Sequence, residues 1–383
     1  MAIVTYQVHL KNHQGERVAV FAGQGRGRGG MQSFYYAKRL RTPGQFELRI
    51  DGEDERIDLF RLDYQVEFWR RDPWGNLPWY KDFETFYRSS SFEMYKDGRV
   101  TFIARGRGYN DLLMAEPIRF AAGSDGACKS GAAETVAKAY VNENIGPGAG
   151  LDSKGYSRVM PGLAIEADRG TGANWDGCRA NQNLLGVLQE IAEMAPGDYQ
   201  IVGTGPATFE FRWRDEQWGS DKRDTVILSP KRGSAEGERY VYSHLDEVNV
   251  VYVLGQGEGE LRKVVPVLDT NAATATPWSR RAITRAAAFD DNTDDKMEVI
   301  GESVLDEQKA KRYTTFTAKQ TRATRYGRDW NWGDLVTVRF RGMEFGQRIT
   351  GVQVGLNREG EERIQPETES IDYGDQPHNW YSR

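Results

Sequence analysis

Little in this chain invites chemistry. Its 383 residues include two cysteines and four histidines. Cys128 and Cys178 stand in a Gly- and Ala-rich region, outside any CxxC pair or zinc spacing. The expectation is two unrelated thiols rather than a bridge or a metal knot. His9, His13, His244 and His378 form no HExxH and no Cys/His cluster. GxSxG and cysteine-nucleophile contexts are missing, and no pair of carboxylates stands apart for acid–base work. No enzyme, cofactor or metal site is therefore expected. No run reaches the roughly 18 apolar residues of a membrane-spanning helix. The opening MAIVTYQVHLKNH alternates like a strand and lacks the basic, apolar and cleavage regions of a leader. The chain is thus expected to stay soluble without export. A basic surplus is missing too: 51 Lys and Arg face 56 Asp and Glu, a net charge of −5. A dedicated nucleic-acid binder needs that surplus to meet phosphates.

What is present favours strands. Hydrophobic residues make up 39%, and 10 Trp, 18 Tyr and 16 Phe carry much of that share. Such side chains pack well on a half-buried pleated surface. Charged residues make up 28%, and mean hydropathy is −0.67, both fitting a polar exterior. The length implies two to four domains.

Along the chain, Ile3–Leu10, Arg17–Ala22, Ser33–Leu40, Gln45–Ile50, Tyr64–Arg71, Trp79–Tyr95 and Arg99–Gly106 read as antiparallel strands, with a helical turn at Ile57–Leu62. A tube-like β-barrel over 1–118 is expected. Residues 119–240 read as an α+β insertion with two helices and a hairpin. The first helix, Ala132–Asn144, places Ala133, Val136, Ala137, Tyr140 and Val141 on one face, with Ser130 as N-cap. The second, Asn183–Ala195, does the same with Leu184, Leu185, Leu188, Ile191 and Ala192. The hairpin joins Tyr199–Gly203 to Thr208–Trp213. A short strand is placed at Thr225–Ser229. A second tube-like barrel is assigned to 241–268 and 314–364, interrupted by an excursion over 269–313 with a helix near Val299–Arg312. Residues 365–383 read as a C-terminal arm. The fold class is mainly β with an α+β insertion.

Several motifs have ordinary readings. GQGRGRGG (Gly23–Gly30) lacks the βαβ setting of a phosphate cradle and reads as a loop; Arg26 and Arg28 are candidate assembly contacts. Gly106 and Gly108 read as a bend out of the barrel. Asp290, Asn292 and Asp294 alternate like a calcium loop, but Asp295 and Gly301 stand where such a loop needs Gly and Glu, so a solvated loop is expected. Trp69, Trp74, Trp79, Tyr80, Phe83 and Phe86 read as core and interface residues of a hairpin rather than a sugar or base platform. From this set Trp74 and Trp79, and from the arm Trp380 and Tyr381, complete the candidate assembly contacts.

Taken in order, GQFELRI and IDLFRLDYQVEFWRR (Gly44–Arg71), GRVTFIARGRGYNDLL (Gly98–Leu113), HLDEVNVVYVLGQGEGELR (His244–Arg262), VIGESVLDEQKAKR (Val299–Arg312) and the Gly333-Asp334 step before LVTVRF resemble the baseplate-hub proteins at the tail tip of long-tailed phages. Ala115-Glu116-Pro117 departs from the paired basic residues common there. The resemblance implies a homotrimer, each chain giving two related barrels to a six-barrel ring that adapts a sixfold tube to a threefold tip. It implies as partners a distal tail or tube protein, the tape-measure C-terminus and a tail fibre or spike protein. DNA would pass the lumen without sequence-specific binding, and a near-neutral to acidic bore suits such passage. The place implied is the virion tail tip, with assembly in the host cytoplasm. Two other readings stand beside it: a β-rich carbohydrate-binding or glycan-degrading tail protein, and a distal-tail protein.

Overall fold

The computed structural model describes residues 4–22, 30–121, 123–124, 126–287, 293–341 and 343–371. The front section comprises β1 (Thr5–Lys11), β2 (Arg17–Ala22), β3 (Met31–Arg39), β4 (Gln45–Asp51), β5 (Gln65–Asp72), β6 (Leu77–Met94) and β7 (Val100–Gly108). Side-chain alternation sets its inner face: Tyr6, Val8 and Leu10 of β1 and Phe46, Leu48 and Ile50 of β4 are all buried. The expected turn after β4 is a 3-10 turn at Glu55–Leu59, capped by Asp54.

The sequence reading bends the chain at Gly106 and Gly108; Gly106 lies inside β7, whereas Gly108 ends it and leads into a 3-10 turn at Tyr109–Met114. A Cβ on Gly106 would sit 1.8 Å from the Phe86 carbonyl oxygen, and one on Gly108 2.3 Å from that of Pro43. Close backbone approach requires glycine at both, and at Gly106 there is no bend. Opposite them the β6–β7 register slips between Tyr87 and Ser89. Tyr87 packs into the core of the main sheet, while Phe86 enters the core of the insertion. One strand thus serves two cores.

The insertion contains β8 (Ala127–Ala132), α1 (Ala133–Asn144), β9 (Leu163–Ile165), β10 (Asn174–Arg179), α2 (Leu184–Met194), β11 (Gly197–Gly205) and β12 (Thr208–Asp215). The apolar faces read from helical spacing are the buried ones, and they meet Tyr199, Ile201, Phe211 and Trp213 of the hairpin. At about 1.5–3 kcal/mol for each fully buried large side chain, this face holds both helices where isolated ones would be marginal. Ser130 is not the cap; it lies in β8, and α1 starts after Ala132. Asn183 caps α2 by accepting from the Leu185 N–H. Cys128 and Cys178 are joined by a disulfide, which corrects the reading of two unrelated thiols. The antiparallel β8–β10 pairing sets them directly opposite each other, so their separation in sequence says nothing of their distance.

After β13 (Ile227–Leu228) and β14 (Ala235–Ser243) come β15 (Val250–Leu254), β16 (Val264–Leu268), α3 (Thr270–Thr274), β17 (Ala282–Ala286) and α4 (Asp294–Glu307). The strand expected at Thr225–Ser229 is reduced to the two residues of β13. The β15–β16 hairpin is present, yet it does not enter a second barrel. It pairs with β17 in a separate three-stranded sheet and packs under α4 through Val251, Val253, Val267, Met297 and Val304. Residues 250–307 therefore form their own small unit. α4 begins and ends about one turn earlier than read, because Asp294 and Asp295 suit the positive end of a helix. Gly301 faces β16 so closely that a Cβ would lie 2.4 Å from Val267 Cγ2. Gly301→Val is expected to lift α4 and cost about 1–3 kcal/mol, measured by urea unfolding; an unchanged midpoint would refute the tight packing.

The rear section closes with β18 (Lys311–Ala318), β19 (Leu335–Phe340), β20 (Met343–Leu356) and β21 (Glu362–Ser370). Residues 365–370 of the supposed arm belong to β21, which pairs along β20. Among the described residues neither section closes its sheet into a separate barrel. Pairing runs in one path, β14-β18-β21-β20-β3-β4-β7-β6-β5-β1-β2, with β19 and β13 attached beside β20. The reason is β3: one edge bonds β4 and the other bonds β20 rather than a front strand. A single core includes Phe34, Leu48 and Phe68 from the front with Trp330, Val338 and Val354 from the rear.

Candidate functional site

At one end of that shared core the apolar lining gives way to buried charge. Arg70 follows Val66 and Phe68 on the inward face of β5 and is 0% exposed. Its Nε donates to the Tyr6 hydroxyl at 3.0 Å and to Glu362 Oε1 at 2.9 Å. The remaining guanidinium nitrogens reach the Tyr80 hydroxyl, the Tyr326 carbonyl oxygen and Glu362 Oε2. Tyr6 also donates to Glu362; burial, then that carboxylate, push its phenol well above the ordinary value. Arg325 of the rear section donates to Asp72 Oδ2 at 2.7 Å.

Beside it, Asp82 collects three donors: the Lys38 ammonium at 2.6 Å, the Tyr326 hydroxyl at 2.8 Å and the Tyr36 hydroxyl. Burial alone would raise the Asp82 carboxyl, but Lys38, then the Tyr36 hydrogen bond and the Arg70 charge, hold it below the ordinary range. Burial lowers Lys38, and Asp82 opposes that fall. The chemistry here is mutual neutralisation of buried groups. The cluster therefore acts as a clasp between front and rear.

A second junction joins three parts. Asp198 of β11 is fully buried and accepts from Arg41 Nε at 3.0 Å, from Arg348 of β20 and from the Trp218 N–H at 2.8 Å. Nearby, Asn110 donates to the Thr42 carbonyl and to Gln200, and accepts from the Ile201 N–H at 2.7 Å. Front, insertion and rear are tied at these side chains. An apolar cleft of about 620 Å³ opens between front and insertion, lined by Phe86, Leu112, Met114, Met160, Pro161 and Phe209.

Inside the insertion Glu134 occupies the first turn of α1, where Ala132 offers no side-chain cap. It accepts from Lys138 at 2.6 Å, Arg169 at 3.0 Å and the Thr171 hydroxyl at 2.7 Å. Burial would raise this carboxyl, yet those donors take it down to about 2. A depressed carboxyl stabilises fully above its unfolded value near pH 4.3 and ceases to stabilise as pH falls through its folded value. Glu134→Gln is expected to cost about 1.5–3 kcal/mol at pH 7. The gap between variant and wild type should narrow between about pH 4.3 and pH 2. Urea unfolding across that range measures it; a gap independent of pH would refute the assignment.

Among the sequence-chosen contacts, Trp74 is 57% exposed and Trp79 is half-buried on β6. Arg26, Arg28, Trp380 and Tyr381 lie outside the described residues, as do Asp290 and Asn292. The aromatic set does not form one platform. Phe83 stacks on Tyr36 in the main core, Phe86 belongs to the insertion, and Trp69 stacks on His9. Among the described residues no group of three His, Cys, Asp or Glu is placed to hold a metal. Sequence reading passed over the clasp, although a charged residue at an inward position, Arg70 after Phe68 or Lys38 after Tyr36, marks it.

The family model for siphovirus ReqiPepy6 Gp37-like proteins matches residues 18–368. Among solved structures, the tail protein from Neisseria meningitidis MC58 is similar over 97% of this chain and 97% of its own, with TM-score 0.56 and 13% identity. The 43 kDa tail protein of prophage MuSo2 from Shewanella oneidensis is similar over 94% and 97%, with TM-score 0.57 and 10% identity. Prophage tail protein gp18 from Listeria monocytogenes EGD-e is similar over 96% and 94%, with TM-score 0.51 and 10% identity. Identities this low speak for the fold alone. Curated proteins include no match. With almost its whole length matched, this chain has the fold of phage tail proteins and belongs to the siphovirus ReqiPepy6 Gp37-like family.

Proposed function

We propose that this protein is a structural hub of a phage tail tip, a homotrimeric ring that adapts a sixfold tube to threefold components. The observation that carries the reading is the β3–β20 junction, which fastens a front and a rear β-section into one rigid chain. Three copies would supply six sections, the number a sixfold tube requires. The family and the shared fold support a place in the tail. The clasp and the Asp198 junction fit a part that holds shape under load. Its partners would be a distal tail or tube protein, the tape-measure C-terminus and a fibre or spike protein. A chain with net charge −5 suits passage of DNA without capture.

Imaging the tail tip of the assembled particle tests this. A closed ring of three copies around the axis is expected. Six copies of this chain, or a single copy off the axis, would overturn the hub reading.

A further inference from the structure

The small unit formed by β15, β16, β17 and α4 is half-covered. Its strands read VVYVL and VVPVL. Such near-continuous apolar runs belong to sheets buried on both faces. α4 covers one face, and on the other only Val250, at the start of β15, is fully buried. On that other face Val264 and Leu268 are 46% and 43% exposed, and Trp278, in the segment leading into β17, is 79% exposed. Pro266, Ala282, Thr284 and Ala286 extend the same open face. Arg280 lies over it, donating to the Tyr252 hydroxyl at 3.0 Å, and Arg281 adjoins it. Neither arginine has a carboxylate partner among the described residues.

The opposite side of the unit is its complement. Met297, Gly301 and Val304 turn α4 inward, leaving Asp295, Glu298, Val299, Glu302 and Asp306 outward. Val299, 52% exposed, has Glu298 and Glu302 on its flanks, and neither glutamate makes an ion pair among the described residues. An apolar centre edged with acid therefore lies on one side, and an apolar face edged with arginine on the other.

We propose that the open β15–β17 face receives the outer face of α4 from a second copy of this chain. The two faces lie on opposite sides of one unit, so the contact is head-to-tail, and a head-to-tail contact gives a closed ring where its rotation closes and cannot give a twofold pair. The inference rests on the trimer reading above and names a surface that would close it.

The test uses the full chain and sedimentation velocity. Glu298→Lys with Glu302→Lys, and separately Arg280→Glu with Arg281→Glu, are each expected to weaken self-association on the order of tenfold or more. All four together should restore it, because the charges are exchanged rather than lost. Val299→Cys with Leu268→Cys should give, on oxidation, disulfide-linked species ending at three chains. Trimers indifferent to every variant would overturn this interface while leaving the trimer intact. A wild-type chain that never associates, even in the particle, would overturn both. A Leu268→Cys adduct with a different tail protein in assembled particles would also overturn it.

Discussion

Arg70→Met is expected to destabilise the main sheet by about 3–5 kcal/mol, the cost of breaking a buried ion pair from one side, since Arg70 is fully buried and Glu362 only 13% exposed. Glu362 would lose the cation that meets both its oxygens, and the Tyr326 carbonyl and Tyr80 hydroxyl would lose their donor. Arg70→Lys should recover only part of the loss, since an ammonium has no planar fork to span five acceptor atoms. Pairing Arg70→Met with Glu362→Gln should also recover part, because the stranded charge is then gone. Urea unfolding followed by tryptophan fluorescence measures all three. A loss below about 1 kcal/mol for Arg70→Met, the size of an exposed ion pair, would show that the cluster is not a clasp.

Removing the disulfide should be felt almost as strongly, but in another unit. The bond between Cys128 and Cys178 closes a loop with a sequence separation of 50. In the chain-entropy account, opening such a loop costs about 4 kcal/mol. The strands that carry it, β8 and β10, form a sheet of only two strands, and such a pair has little stability of its own. Cys128→Ser with Cys178→Ser is therefore expected to lower the unfolding midpoint of the α+β unit while leaving the main sheet intact. Reductant on the wild-type chain should reproduce it. An unchanged thermal transition after thiol titration has confirmed complete reduction would refute this expectation.

Features built from neighbours in sequence were legible. Both helices of the insertion follow from the spacing of Leu184, Leu188 and Ile191 and of Val136, Tyr140 and Val141, and both hairpins follow from alternation across a tight turn at Pro206-Ala207 and a Gly-rich loop over 255–263. Membership of a sheet was harder. The strand pattern at 250–268 is the same whether it joins the rear section or a small unit of its own, because alternation fixes a face and not a partner. Gly106 read as a bend for a similar reason: only the approach of Phe86 from β6 explains it. The disulfide depends on the register between β8 and β10, which thiol spacing does not encode. The junction of β3 with β20 leaves no local trace. Its best signal was indirect, in the inward charges of Lys38 and Arg70 that need partners from elsewhere.

The clasp has a consequence for biosynthesis. Tyr6 and Glu362, which touch in the finished protein, stand 356 positions apart. At about 5–20 residues per second, a ribosome needs roughly 20–70 s to travel between them. Through that interval β3 has β4 on one edge and nothing from β20 on the other, and Arg70 waits without its carboxylate. The earliest strands to emerge are thus among the last to be sealed, and the nascent front section keeps an open β3 edge until translation nears its end.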